Sequence, residues 1–476
     1  MSSTTKEDTV KQTIALASSL VLGFLALSAA AATPPSTARV SVSSAGGQGD
    51  RDSYAAGISA DGRYALINSQ ARDLVPGDTN DRWDVFLHDR SSGATTRVSV
   101  STGGAQAAPS SDPWGGSTAG GISANGRYVV FQSDAPNLVP GDSNRAEDVF
   151  VHDNGSGVTT RVSVSNSDRQ ANGPSAFAAI SADGRHVAFS SSASNLVRGD
   201  TNRISDVFVR DLASGKTSRV TVAGRGAQAR CKVSYCESTE PALSAHGRYV
   251  AFESSATNLV PGDTNRLADV FVRDRRTGRT ERVSVDSHGR QGGRDRTLNG
   301  SNAPVISADG RFVAFHSADS NLVRGDTNRT FDIFLRDRKT HRTTRVSVSS
   351  SGRQANGENL GGLSISADGR YVAFTSLASN LTAGDANDIT DVFVRDLRSG
   401  RTALASLGQS GNQGMDASSV GGGSVAFSAN DRYLVFSSWA SELVSGDTNI
   451  VPDAFVRDFG GLPAGGSPKA MRREMP

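Results

Sequence analysis

The sequence predicts an all-β fold: a seven-bladed β-propeller of four-stranded antiparallel blades, closed by an N-terminal strand that completes the last blade. Three observations predict it. First, the phrase NLVPGDTN at 258–265 recurs, lightly edited, from positions 73, 137, 195, 321, 380 and 442. Each copy lies in a longer unit beginning at Ile58, Ile122, Ile180, Leu243, Ile306, Ile365 or Phe427, and these starts are 58 to 64 residues apart, the regular spacing of a repeat architecture. Second, the middle of each unit is apolar on successive residues, as in Tyr249-Val250-Ala251-Phe252. Alternation would leave one sheet face in water, whereas continuous apolarity buries both. A four-stranded sheet covered on both faces by its neighbours is a propeller blade. Third, the last unit stops at DAFVRDF without a fourth strand of the Arg-Val-Ser-Val kind, and a spare Arg39-Val40-Ser41-Val42 stands at the opposite end of the chain.

In chain order, residues 14–32 form an apolar run behind Lys6 and Lys11 and end in Ala30-Ala31-Ala32, the pattern of a secretory signal peptide over 1–32. The propeller is expected over 33–459 and a disordered Gly/Pro tail over 460–476. Each blade opens with a short small-sided strand ending in Ile-Ser-Ala. In five blades an Asp-Gly or Asn-Gly pair follows, such as 61–62 or 125–126, which favours a type I′ hairpin; 246–247 is His-Gly and 430–431 is Asn-Asp, a weaker version. The second strand is Arg-Tyr-Val-Ala-Phe-x-Ser, the third Asp-Val-Phe-Val-Arg-Asp, and the fourth is expected at Arg-Val-Ser-Val. A Gln stands six residues beyond each fourth strand, at 106, 170, 228, 291, 354 and 413, and Gln48 stands at that distance from Val42. So 39–42 reads as the missing fourth strand of blade seven, and closure removes the open sheet edges.

The stretches SADGRYVAF and DVFVRD resemble the TolB-like (WD-repeat-like) β-propeller repeat family over about residues 37–459. Three features depart from it: Ala stands for the family's Pro, there are seven units where the propeller of TolB has six blades, and the additional N-terminal α/β domain is absent. The resemblance implies the fold and a periplasmic or extracellular place, and carries over no partner.

The up-and-down course of each blade puts the loop between strands two and three on the same face as the connection to the next blade. That loop carries Asp-x-Asn-x-x-x-Asp seven times: Asp78, Asn80, Asp84; Asp142, Asn144, Asp148; Asp200, Asn202, Asp206; Asp263, Asn265, Asp269; Asp326, Asn328, Asp332; Asp385, Asn387, Asp391; and Asp447, Asn449, Asp453. Oxygens at alternate positions behind a Gly suit Ca2+, which wants six or more ligands. The same residue types close turns by bonding their own backbone. Both readings stand at this level.

Charge excludes one class of partner. The formal net charge of +2 is that of the C-terminal Lys469, Arg472, Arg473 and Glu474, so the repeats are neutral. Nucleic acid needs a basic face. The sequence carries no G-x-S-x-G and no His-Glu-x-x-His. The two cysteines, Cys231 and Cys236, are expected to form a local disulfide in an exported protein. Of the three tryptophans, Trp83 and Trp439 stand in strand-two-to-three loops of blades one and seven, and Trp114 in the connection from blade one to blade two. Aromatics on a loop face suit a sugar ring or a protein partner. The function expected is that of a secreted or periplasmic, monomeric, non-enzymatic binding or scaffold protein recognising a protein, peptide or glycan of the envelope or exterior. The alternative is a carbohydrate-active enzyme, a glycosidase or lyase, on the same scaffold.

Overall fold

The computed structural model describes residues 34–110, 115–231, 236–293, 300–418 and 426–460. The expected signal segment and all of the expected tail but Gly460 lie outside these residues. The strands form seven four-stranded antiparallel sheets. In blade one they are Ser53–Ile58, Tyr64–Ser69, Asp84–Asp89 and Ala94–Arg97, paired in chain order. The first strands of successive blades touch one another around the ring, so they line the central channel.

The apolar runs form seven separate cores, one between each pair of neighbouring blades. Within blades two to seven a Phe of the second strand stacks on a Phe of the third, as in Phe189 on Phe208, with ring centroids 5.5–6.0 Å apart. In blade one Ile67 takes the place of the first Phe opposite Phe86. Burial on both faces is therefore repeated in layers rather than gathered in one centre, which lets a ring of this length stay well packed.

Closure follows the expected route with a shifted boundary. The fourth strand of blade seven is Ser36–Arg39, in register with Asp453–Asp458 through Ser36↔Asp458 and Arg39↔Phe455. The expected 39–42 is thus three residues late, as it is in the other blades. After the Arg, the Val still donates its N–H to the third strand (Val40 to the Ala454 carbonyl, 2.8 Å), but the next Ser turns inward. Its hydroxyl donates to the buried Asp that opens strand three, Ser41 to Asp453 at 2.5 Å, and its oxygen accepts the Ala454 N–H. The Val that follows pairs with the Gln six residues on, Val42 with Gln48, and all seven blades repeat this bridge.

The Asp-Gly hairpins also differ from the expected type I′. Only the Gly has a positive φ, 78° at Gly62, and its N–H bonds back to Ser59. This is a type I turn closed by a left-handed residue. Asp61 stays out of the left-handed region because its carboxylate accepts from the Ser59 hydroxyl and the Arg63 N–H. A Cβ on Gly62 would fall 2.0 Å from the Tyr433 ring, so the neighbouring blade requires glycine here as well. On this turn face each Arg of the turn pairs with the last Asp of strand three, as Arg63 with Asp89 through two bonds of 2.7 and 2.9 Å.

Candidate functional site: the loop face and the central channel

The repeated loop phrase builds a ring of buried ion triads. In blade three the last residue of the fourth strand, Arg219, places Nη1 3.0 Å from Asp200 and 3.2 Å from Asp206. Asn202 donates to Asp206 at 2.9 Å, and Thr221 donates to its other oxygen at 2.5 Å. The same arrangement recurs with Arg97, Arg161, Arg282, Arg345 and Arg39, the last holding Asp447 and Asp453 across the point of closure. The Asp that opens strand three is fully buried in all seven blades. In blade one burial pushes Asp84 up to about 6, against the opposing pull of Ser99 and Arg97.

Blade six departs. Leu404 stands where the other blades have Arg, and no cation reaches Asp385 or Asp391 among the described residues. There Gln413 donates to both carboxylates, at 3.0 and 2.7 Å, and Asn387 reaches the Gly414 carbonyl at 2.8 Å. Among the described residues no group of three or more His, Cys, Asp or Glu is arranged to hold a metal.

A second break in the symmetry is apolar. On the loop face of blades six and seven Leu377, Met415, Trp439 and Ile450 are 40%, 70%, 39% and 83% exposed. Leu377 and Trp439 follow the second strands of the two blades directly. Met415 adjoins Trp439, since its N–H bonds the Glu442 carboxylate while the Trp439 N–H bonds the Ala417 carbonyl at 3.0 Å. Ile450 has φ 57°, a left-handed conformation held at the same loop position in the other six blades by Asp81, Arg145, Arg203, Arg266, Arg329 and Asp388. A β-branched residue is an outlier there. Only blade seven exposes an apolar side chain at this point.

Trp83 lies on the same face but is half-buried, with its ring stacked on Tyr54 at a centroid distance of 5.5 Å. Trp114 falls outside the described residues. Cys231 and Cys236 are joined in a disulfide with their Cα atoms 6.0 Å apart, in the connection from blade three to blade four.

The channel wall was not legible as a site in the sequence. Its inner strands bulge, and Phe177, Glu240 and Ala303 hold left-handed backbones at equivalent places in blades three, four and five. The Phe177 side chain is 51% exposed. Burial, with the like charges of Glu240 and Glu237, pushes Glu253 up to about 8. Outside the channel, just before the third strand of blade two, burial and Asp134 push Glu147 up to about 7.

The sequence matches no protein-family model and no curated protein. Among solved structures the chain is similar to TolB from Acinetobacter baumannii at 12% identity, with 74% of this chain and 63% of that chain covered and a TM-score of 0.37. It is similar to an oligogalacturonate lyase in complex with manganese at 11% identity, over 90% and 96% of the two chains, with a TM-score of 0.49. It is also similar to the β-propeller domain of the Trilobed protease from Pyrococcus furiosus at 10% identity, over 85% and 95%, with a TM-score of 0.48. Non-enzymes and enzymes are thus both among its neighbours, and at such distances they carry no argument about activity. TolB structures stand among these neighbours, and the seven-bladed propeller rests on the strand pairing of this chain itself.

Proposed function

We propose that the protein is an exported, non-enzymatic binding module that meets a protein, peptide or glycan of the envelope or exterior on its loop face, at blades six and seven. The observation that carries this reading is the exposure of Leu377, Met415, Trp439 and Ile450 on the loop face of two adjacent blades. None of the four belongs to the cores beneath, and large apolar side chains left exposed on one face of two adjacent blades suit a partner docked there. Export is supported by the apolar run at 14–32 and by the disulfide, which persists in an oxidising compartment. Among the described residues no helix is long and apolar enough to cross a membrane.

Two substitutions test it. Ile450→Asp installs the residue of the equivalent blade-six position, and Trp439→Ala removes the ring. Each is expected to weaken capture of the partner from envelope or medium fractions at least about tenfold, the range of a binding hot spot. The melting temperature should stay within a few degrees, because neither side chain is core. Undiminished capture by both variants would move the partner elsewhere.

We also propose that the loop Asp/Asn sets close turns around a guanidinium in six blades, the place a Ca2+ ion would otherwise take. Addition of millimolar Ca2+ is then expected to leave the melting temperature unchanged. A rise with Ca2+, by mass action on the folded state, would assign the ion to these loops.

A further inference from the structure

The loop face of blade three departs from the repeat in charge. Its strand-two-to-three loop has Arg198 where blades one, two and four have Pro76, Pro140 and Pro261. Arg203 follows in the same loop. Arg230 stands two residues beyond the Gln of the connection, where no other blade has a basic residue. Blade five has two of the three, Arg324 and Arg329, with Asn356 at the third place, and no other blade has more than one. The three side chains of blade three line one groove of about 990 Å3, between the loop and the connection to blade four. The disulfide borders the same groove. Cys231 and Cys236 both line it, and Arg230 directly precedes Cys231. The chain's one cysteine pair and its one complete set of these arginines therefore coincide.

All three arginines are exposed, and none of their guanidinium groups has a hydrogen bond or ion pair among the described residues. The described lining of the groove contains no Asp or Glu. Arg219 lines it too, but Asp200 and Asp206 neutralise it from beneath at 3.0 and 3.2 Å. The Glu237 that follows Cys236 lies by Glu240 and Glu253 of the channel wall. One exposed Arg is an ordinary solvated charge. Three uncompensated ones around a single groove, in repeats that are neutral as a whole, concentrate a positive field that favours an anion. The two sides of the groove are already tied together. Gln228 donates to the Gly199 carbonyl and the Thr201 hydroxyl, both at 2.9 Å, and accepts the Thr201 and Asn202 N–H groups at 3.1 Å. With the disulfide, this lowers the ordering cost of binding.

We propose that this groove binds an acidic segment of a protein or peptide through its Asp or Glu carboxylates. The planar guanidinium fork suits a carboxylate, and Arg219 makes that pairing with the chain's own carboxylates in the same loop. The described lining has no aromatic ring, the group that stacks on a sugar or a base, so a glycan or a nucleic acid fits the groove less well. The site is in blade three, apart from the apolar side chains of blades six and seven, so either can fail without the other.

The test is calorimetric titration of the protein at low salt with hexaglutamate, with hexaglutamine as the neutral control and a sulfated oligosaccharide as the competing polyanion. Saturable one-to-one binding of hexaglutamate is expected, weakened by added salt, with none of hexaglutamine. Three substitutions bring in residues that the repeat already holds at the same places: Arg198→Pro from blade one, Arg203→Asp from blade six and Arg230→Asn from blade five. Arg198→Pro and Arg230→Asn should each weaken binding about two- to fivefold, the worth of one exposed ion pair. Arg203→Asp should weaken it more, because it sets a negative charge in the groove. The triple variant should abolish binding with an unchanged melting temperature, and the single variants carry the test if it does not fold. Arg324→Pro with Arg329→Asp, the matching change in blade five, should leave the affinity as it is. Undiminished affinity in the blade-three variants, or an equal loss from the blade-five pair, would overturn the site. Tighter binding of the sulfated oligosaccharide, or no binding of hexaglutamate at millimolar concentration, would overturn an acidic peptide as its ligand.

Discussion

Deletion of residues 36–44 is expected to abolish cooperative folding of the propeller. The segment supplies the outer strand of blade seven through four paired residues, and with it the guanidinium of Arg39 between Asp447 and Asp453. Val40, 2% exposed, belongs to the core shared by blades seven and one. Its loss would leave Asp453 buried without a cation, open one core to water and expose the edge of Asp453–Asp458 to pairing with other chains. Circular dichroism melts and size-exclusion chromatography would check this, with aggregation or a lost transition as the expected outcome. Moving the same residues behind Asp458, through a turn copied from 90–93, should restore the transition, because the strand would then follow its neighbour as it does in blade one. A normal melt of the deleted chain would mean that the ring does not depend on strand exchange between its ends.

Arg219→Leu is expected to cost about 3–5 kcal/mol, the range for removing one partner of a buried ion pair. The cost arises because Asp206 is fully buried and Asp200 lies beside it with a side chain 5% exposed. Blade six tolerates a Leu at this position because Gln413 donates to both carboxylates there. In blade three Gln228 instead directs Nε2 to the Gly199 carbonyl and Thr201, and Oε1 to Arg219 itself. Adding Asp206→Asn should recover part of the loss, and the double-mutant cycle in urea measures how much belongs to the pair. A single-variant loss below about 1 kcal/mol, the scale of a surface pair, would show that the triad is not the frame of the loop.

The blade count and the exchange of strands between the termini were legible because each depends on residues that repeat: the loop phrase, the Phe-bearing strands and the Gln six places on. The fourth-strand boundary was not. Arg-Val-Ser-Val has the β-branched look of a strand, but Ser41 and its counterparts leave the ladder to bond the buried Asp of strand three. The loop triads were half legible. Asp, Asn and Asp lie within seven residues, whereas the arginine that joins them stands thirteen residues after the last Asp in a different strand, and only the pairing of strands three and four brings it back. Leu404 was visible as a departure from the pattern but had no meaning until the other six arginines were placed. Trp439 is exposed on the loop face as expected, while Trp83 turns to Tyr54, a contact that nothing in local spacing signals.

The most direct test of the binding reading is site-specific photo-cross-linking. A photoreactive residue is placed at Ile450 on the loop face and, in a second protein, at Ser91 in the turn between strands three and four on the opposite face. Both positions are exposed, so both report on contacts without disturbing a core. Irradiation in the presence of envelope and medium fractions is expected to give one defined adduct from position 450, reduced by Trp439→Ala, and none from position 91. A defined adduct from position 91 alone, or one from position 450 that is indifferent to Trp439, would contradict a partner docked on blades six and seven.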